Sequence, residues 1–448
     1  MKEKIFKHTT RRQFLTAMAM ICVSLTTALL GLPQAESGDR LGRSGQLDLS
    51  FGEAGMVPLE AIGSGVSLQT DQQILVVTQS PNQLLRYNSN GAVDVSFGIN
   101  GALDLALLPF AVAEQPDGKI VLAGEISEYP SGSFAVARVN PDGTLDTTFD
   151  DDGMVSTDIV SSLENTFRAG YGSRAQDLII QPDGSIVLAG SLYYYQYDGW
   201  AHAEQSIAFA LVRYRADGSL DTDFGEAGVV VTDIMSAEEP FDNPPDAAYG
   251  IDLQSDGKIV VAGYTTIADD GGMSDRDFAL VRYHANGLLD SSFGIEGVVI
   301  TDIFGKRDEF RDVALRGDGL ITASGFATDL VSNFALVRYH MDGSIDESFG
   351  VDGLVITDVS GGDDYIAAMS LQADEKIVAV GWSVYEDPIR TLVTLTRYDD
   401  AGKLDKHFGR NGIVVTDTGY SAAHTHDVAI QDDDKIVVIE GAIIRYLP

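Results

Sequence analysis

The sequence predicts an all-β fold: a seven-bladed β-propeller of four-stranded antiparallel blades. The first observation is a signature, Leu/Ile/Val-Asp-x-x-Phe, that recurs at intervals of 46 to 75 residues. Its seven phenylalanines are Phe51, Phe97, Phe149, Phe224, Phe293, Phe349 and Phe408. The second is that each unit holds four short segments rich in β-branched and aromatic residues, with no helix-length amphipathic pattern. Repetition at this period indicates a repeat architecture, and four strands repeated seven times indicate a propeller.

The order of the segments predicts how the ring closes. In the unit that begins at Leu289 the segments are GVVITDI, DVALR, GLITASG and FALVRY, and an Asp-Gly turn joins the second to the third. The chain enters the repeats at a first-type segment and ends at a last-type segment, IIRYLP. With GVVITDI as the outermost strand, we predict that a strand near Gly55 to Leu59 completes the blade formed between Asp427 and Tyr446.

Three stretches of the repeat resemble a known family. LDSSFGIEG, LQSDGKIVVAGY (Leu253 to Tyr264) and FALVRYHANG (Phe278 to Gly287) are similar to the delta-60 repeat family, and the likeness spans Leu47 to Pro448. The resemblance implies a propeller-like array on an exported or surface bacterial protein. It implies no catalytic residues, because the family has no agreed catalytic set.

The N-terminal segment predicts export. Residues 1–35 read as a signal, 36–46 as a short linker and 47–448 as the propeller domain. Basic residues, including Arg11 and Arg12, precede an apolar run from Phe14 to Leu32, and Ala35 is a plausible cleavage position. TRRQFL is close to a twin-arginine signal, with an ordinary secretory signal as the alternative. We expect a protein of the periplasm, cell surface or medium that is not inserted in the membrane after signal removal.

Composition excludes some partners. The formal net charge is −37, which opposes binding to nucleic acid. The single cysteine, Cys22, lies within the predicted signal, so the mature chain has no disulfide. We expect a monomer held by packing and hydrogen bonds.

The variable connections of each unit are predicted to share one face of the ring. Adjacent antiparallel strands alternate in direction, so the first and third connections of a blade emerge on the same side, and loops on a rigid scaffold commonly bind ligands. The richest loop, Ser191 to Ser206, is aromatic. The predicted ligand-binding residues are Tyr193, Tyr194, Tyr195, Tyr197, Trp200, Trp382 and Tyr385. Such side chains stack on sugar rings or anchor protein partners, so we expect an extracellular polysaccharide or a cell-envelope protein as partner. The alternative for this loop is a plug that buries its own aromatics.

An enzymatic alternative rests on acids and histidines. Asp177, Asp312 and Asp427 begin the second segment in alternate blades, near the variable face if that segment lines the channel. With His424 and His426 they would form an acid/base or metal site. Carboxylates are abundant on this face, so calcium is an alternative ligand, although no loop has the EF-hand spacing. No motif of a known catalytic class is present. The predicted function is therefore a binding scaffold without a cofactor; a glycan hydrolase or lyase and a passive structural module are the alternatives.

An arginine of the fourth segment and the aspartate of the following signature occur once per unit. This recurrence predicts a structural pair, since chemistry rarely needs one copy in each blade. The arginines are Arg138, Arg213, Arg282, Arg338, Arg397 and Arg445, and the aspartates are Asp146, Asp221, Asp290, Asp346 and Asp405.

Overall fold

A computed structural model describes residues 44–128, 131–159, 168–197, 203–234, 245–268, 274–386, 389–419 and 427–448. Arg43–Pro448 form one compact unit. The predicted signal, residues 1–35, lies outside the described residues. Within the described ranges, 28 strands form seven four-stranded antiparallel sheets, which confirms the predicted seven-bladed propeller.

The strands of each blade follow one another in sequence, except in the last blade. Blade 1 holds β2 (Ile62–Leu68), β3 (Ile74–Gln79), β4 (Gln83–Tyr87) and β5 (Ala102–Asp104); blade 2 holds β6 (Leu108–Glu114), β7 (Ile120–Glu128), β8 (Ser131–Val139) and β9 (Met154–Thr157). Blade 3 holds β10 (Arg168–Ile180), β11 (Ile186–Tyr197), β12 (Ala203–Tyr214) and β13 (Val229–Thr232); blade 4 holds β14 (Ala247–Leu253), β15 (Ile259–Ala268), β16 (Ser274–Tyr283) and β17 (Val298–Thr301). Blade 5 holds β18 (Asp308–Leu315), β19 (Ile321–Thr328), β20 (Ser332–Tyr339) and β21 (Leu354–Thr357); blade 6 holds β22 (Asp364–Leu371), β23 (Ile377–Glu386), β24 (Ile389–Tyr398) and β25 (Ile413–Thr416). Blade 7 holds β26 (Asp427–Ile430), β27 (Ile436–Ile439), β28 (Ala442–Tyr446) and β1 (Met56–Pro58).

The ring closes as predicted. β1 is the outer strand of blade 7 and pairs antiparallel with β28, with Met56 opposite Ile444 and Pro58 opposite Ala442. Residues assigned to the linker also contact the ring: the N–H of Gly45 donates to the carbonyl of Leu447 at 2.8 Å, and the N–H of Leu447 donates to that of Gln46 at 2.8 Å. Gly45 and Gln46 therefore belong to the propeller in the structure.

The hydrophobic core lies between neighbouring blades. One cluster joins Val136 and Phe149 of blade 2 to Leu188 and Tyr214 of blade 3, and the other clusters repeat this arrangement around the ring. All seven signature phenylalanines are fully buried. Because each blade buries its faces against its neighbours, the stability of one blade depends on the next.

The predicted arginine–aspartate pairs are confirmed, and the structure adds Arg86 with Asp94 and places Asp48 opposite Arg445. All seven pairs lie within 2.6–2.9 Å. Each guanidinium also stacks on a signature phenylalanine, at 4.4–4.7 Å from the ring centroid. In six blades the same arginine donates to a backbone carbonyl of the next blade, and Arg397 donates instead to the Ser44 hydroxyl. We call this arrangement the Arg–Asp–Phe clamp.

The two ends of the ring differ. Tight Asp-Gly turns join the first and second strands at one end; Gly319, for example, has a φ of +90°, which favours glycine. The connections between the second and third strands, and between one blade and the next, lie at the other end, which we call the variable-loop face. None of the described residues forms a helix long and apolar enough to cross a membrane.

Candidate binding cavity at the channel mouth

A β-bulge interrupts the innermost strand of each of blades 1 to 6 at the same place. The bulged residues are Ser64, Phe110, Gln176, Tyr249, Arg311 and Ala367. A bulge breaks the alternation of side chains, so two consecutive residues turn toward one side of the sheet. All six bulged residues line a central cavity of about 380 Å³. Because the inner strands begin directly after the connections between blades, this cavity lies toward the variable-loop face.

The structure brings Asp177, Asp312 and Asp427 together around this cavity. The first two directly follow the bulges of their strands, and the third begins β26. Burial raises the pKa of Asp177 to about 7, and the charges of Asp427 and Asp252 add to the effect. Burial likewise raises the pKa of Asp427 to about 6, and burial with the charges of Asp177 and Asp427 raises that of Asp312 well above its ordinary range. Asp177 and Asp427 therefore titrate near neutral pH.

Each of these aspartates also ties two blades together. One oxygen accepts the N–H of the following residue in its own strand. The other accepts an N–H from the next blade: Asp177 from Ile251 at 3.1 Å, Asp312 from Met369 at 2.7 Å and Asp427 from Val66 at 2.8 Å. Both oxygens of each group hold backbone hydrogen bonds, so the carboxyl groups are fixed in position around the cavity.

Small residues occupy the equivalent inner-strand position in the intervening blades. Gly250 lies directly against blade 5: a Cβ there would stand 2.9 Å from Cα of Asp312 and 3.1 Å from its Oδ1. The absence of a side chain at Gly250 leaves room for the aspartate. From blade 3 to blade 7, aspartates and small residues alternate at this position, whereas blades 1 and 2 both have a small residue there.

Aromatic side chains from blades 2, 4 and 6 line the cavity. Trp382 and Tyr249 line the cavity, together with Phe110. The Trp382 ring lies 5.4 Å from that of Tyr365, which contacts Phe326 edge-on at 4.8 Å. Trp382 is therefore supported by further aromatic packing behind it.

Three arginines surround one buried glutamate beside Tyr249. Glu309 is fully buried, and its carboxylate pairs with Arg307 and Arg311, each at 2.6 Å, and with Arg276. The Arg311 guanidinium lies over Tyr249 at 4.1 Å, and that of Arg276 lies over Tyr264 at 4.5 Å. Burial opposes ionisation of Glu309, but the three arginines outweigh it and lower its pKa. Three guanidinium groups against one carboxylate leave a local excess of positive charge in an acidic protein.

A separate group of acids offers oxygen ligands. Asp277, Asp302 and Asp308 each present a carboxylate oxygen within 4.8 Å of the others. Burial, reinforced by neighbouring carboxylates, raises the pKa of Asp277 to about 8, and burial raises that of Asp308 to about 8. The sequence predicts abundant carboxylates on this face, but the convergence of these three depends on the geometry of the ring.

The predicted aromatic residues are distributed over several places. Trp382 lines the cavity, whereas Tyr385, three residues further along β23, is half-buried, and burial raises its pKa. Tyr193 is half-buried in β11. Tyr194, Tyr195 and Tyr197 lie in the same strand, with side chains outside the described part of the chain, and Trp200, His424 and His426 lie outside it altogether.

Sequence reasoning missed the bulged residues. Tyr249 and Arg311 fall where strict alternation would turn them away from the channel, and only a break in the register turns them toward it.

Comparisons with known proteins agree with this architecture. A family model described as "Domain of unknown function (DUF5122) beta-propeller" matches residues 73–97, 115–149, 181–224, 254–293 and 317–349. The chain is a β-propeller repeat protein. The delta-60 name remains a prediction. No curated protein sequence matches this propeller.

Several solved structures are similar to it at low sequence identity. Virginiamycin B lyase from Staphylococcus aureus has a TM-score of 0.46 and 11% identity, covering 88% of this chain and 98% of its own. YCF48 from Cyanidioschyzon merolae has a TM-score of 0.40 and 10% identity, with the same two coverages. Drosophila Semaphorin 1a has a TM-score of 0.41 and 7% identity, covering 88% of this chain and 87% of its own.

Proposed function

We propose that this propeller is an exported binding module that takes a saccharide of an extracellular polysaccharide in the channel-mouth cavity. The observation that carries the proposal is the composition of the cavity wall, where Trp382 and Tyr249 stand beside fixed carboxyl groups and Arg311. Aromatic faces pack against the apolar faces of sugar rings, while carboxylate and guanidinium groups bond to hydroxyls. A volume of about 380 Å³ is within the range of about 300–1,000 Å³ common for small-molecule sites.

The arginine cluster favours an acidic saccharide. Arg276, Arg307 and Arg311 share a single carboxylate, so their remaining N–H groups are available to an anionic substituent such as a uronate. Planar guanidinium groups bind carboxylates in a fixed, two-pronged geometry. A cell-envelope protein is the other partner predicted from the sequence.

The test is binding of the purified protein to an array of neutral and uronate-containing glycans. We expect uronate-containing glycans to bind, and Trp382→Ala to lose most of that binding because a stacking face is removed. Arg311→Gln is expected to weaken uronate binding more than binding to neutral glycans. Arg410→Gln, an exposed arginine in a constant turn at the other end of the ring, is the matched control and should bind as the wild type does. Equal binding by Trp382→Ala and wild type would contradict the cavity as the site; no glycan binding by the wild type would shift the search to protein partners.

A glycan-cleaving enzyme is the second candidate. It is favoured by Asp177 and Asp427, whose pKa values near 7 and 6 suit proton transfer at neutral pH. Incubation with each bound glycan, followed by measurement of new reducing ends and of unsaturated products, separates the two functions. Cleavage that is lost in Asp177→Asn with binding retained would support the enzyme, whereas bound glycans that stay intact support the binding module.

A further inference from the structure

We propose that Asp277, Asp302 and Asp308 form a calcium site at the junction of blades 4 and 5, on the variable-loop face. The three residues come from different elements: Asp277 from β16, Asp302 from the connection after β17, and Asp308 from the first position of β18. One carboxylate oxygen of each lies within 4.8 Å of the others. A single cation between them would contact all three.

The side chain of Asp277 supplies an independent argument. This residue is only 4% exposed, and its Oδ1 has no hydrogen-bond partner. Burying a carboxylate oxygen without a partner is costly, and such groups in proteins usually have a specific compensation. Within the described ranges, no lysine, arginine or histidine forms an ion pair with any of the three aspartates. A bound cation would provide the compensation that the protein itself does not.

The other two ligands are already held in place by backbone donors. The N–H of Gly305 donates to Oδ1 of Asp302 at 2.5 Å. Asp308 accepts the N–H of Ile303 at 2.8 Å and that of Thr328 at 3.2 Å, one on each oxygen. These bonds fix both carboxyl groups in position and leave lone pairs for a metal.

The donor set selects the metal. All three ligands are carboxylate oxygens, which suit the hard cations rather than zinc or copper. Calcium accepts six to eight oxygens in flexible geometry, and the exposed Asp302 leaves one side of the site open to water ligands.

The neighbouring junctions provide internal controls. Asp233 and Asp246 occupy the same loop positions between blades 3 and 4, and Asp358 and Asp364 do so between blades 5 and 6. Asp277 directly precedes the buried aromatic residue of the third strand. The equivalent residues at the other two junctions are Ala208 and Asn333. Among these three junctions, the third carboxylate is present at one alone, so the site is specific to blades 4 and 5.

Calorimetric titration of chelator-treated protein with CaCl₂, together with thermal unfolding in calcium and in chelator, tests the proposal. We expect one calcium ion per chain and a rise of Tm in calcium, because a ligand that binds only the folded state stabilises it. Asp277→Asn should weaken binding by at least about tenfold, since ligand charge sets affinity. Asp246→Asn, at the junction with two carboxylates, should bind calcium as the wild type does.

Thermal unfolding in chelator tests separately whether each variant folds. In chelator, Asp277→Asn should melt no lower than the wild type, because it removes repulsion from a buried cluster. If Asp277→Asn does not fold, Asp302→Asn, at an exposed position, is tested in its place and should also weaken calcium binding. The proposal is overturned if the wild type shows no saturable calcium binding, or if the folded aspartate variants bind calcium as tightly as the wild type.

Discussion

The arginine of the third strand makes three contacts at once. In blade 4, Nε of Arg282 donates to Asp290 at 2.9 Å, the guanidinium stacks on Phe293 at 4.5 Å, and Nη1 donates to the carbonyl of Met341 in blade 5. Arg282 and Asp290 are both almost fully buried. Burial opposes ionisation of Asp290, but hydrogen bonds from Ser292 and the charge of Arg282 outweigh it and lower its pKa to about 2. The pairing follows from repetition in the sequence, whereas the contact with the next blade depends on the ring and is not encoded locally.

We predict that Arg282→Ala lowers the free energy of unfolding by about 3 kcal/mol, because it leaves a buried carboxylate without its partner. Chemical denaturation measures the loss, and Arg410→Ala, at an exposed arginine, is the control. Since the pKa of Asp290 is depressed in the folded state, the stability it contributes is present above about pH 4 and is lost as pH falls toward 2. The difference in unfolding free energy between wild type and variant should therefore become smaller in acid. A difference that does not change with pH, or no difference at pH 7, would contradict the clamp.

Among the elements, the innermost strands contain both features that the sequence predicts and features that it does not. Period, turn residues and strand order are readable because they repeat, and they predict the blades and the shared position of Asp177, Asp312 and Asp427. The bulges that turn Tyr249 and Arg311 into the cavity are shifts of one residue in the pairing with the second strand. A shift of this kind leaves composition unchanged, so it is visible only once the strands are paired.

In the connection between β13 and β14, a buried aspartate links neighbouring segments of the chain by hydrogen bonds. Asp246 is fully buried and accepts the N–H of Ile234 at 2.7 Å, while its own N–H donates to the carbonyl of Ile207 in β12. Burial, with repulsion from Asp233, raises the pKa of Asp246 to about 8. The carboxyl group of Asp246 is therefore protonated at neutral pH.

We predict that Asp246→Asn stabilises the protein at high pH relative to low pH. A folded-state pKa above the unfolded value means that the stability due to the proton is fully present below about pH 4 and is lost as pH rises to about 8. Asparagine does not titrate, so the difference in unfolding free energy between variant and wild type should shift in favour of the variant by at least about 1 kcal/mol across this window. Denaturation at about pH 4.5 and at about pH 8.5, near the two ends of this window, measures the shift. A constant difference would show that Asp246 is ionised throughout.

For the whole molecule, residues 44–46 and the C-terminal residues together form an ordinary blade connection. In blade 6 the N–H of Asp399 donates to Lys403, and the N–H of Gly402 donates to Asp399. In blade 7, Leu447 donates to Gln46, and Gly45 donates to Leu447, with the same pattern. By this correspondence Leu447 and Pro448 take the places of Asp399 and Asp400, and Ser44 takes that of Ala401. The two segments thus combine to form one turn of the ordinary pattern.

We therefore predict that a circular permutant, residues 61–448 followed directly by 44–60, folds to the same propeller. Every blade then consists of four consecutive strands, and β1, the Asp48–Arg445 pair and the Phe51 stack are all retained. Thermal unfolding should be a single cooperative transition within a few degrees of the parent chain. The matched variant that lacks residues 47–60 loses the outer strand and one clamp, and should show no cooperative transition because each blade is stable only against its neighbours. A permutant that fails to fold, or a deletion variant that melts cooperatively, would contradict closure of the ring by β1.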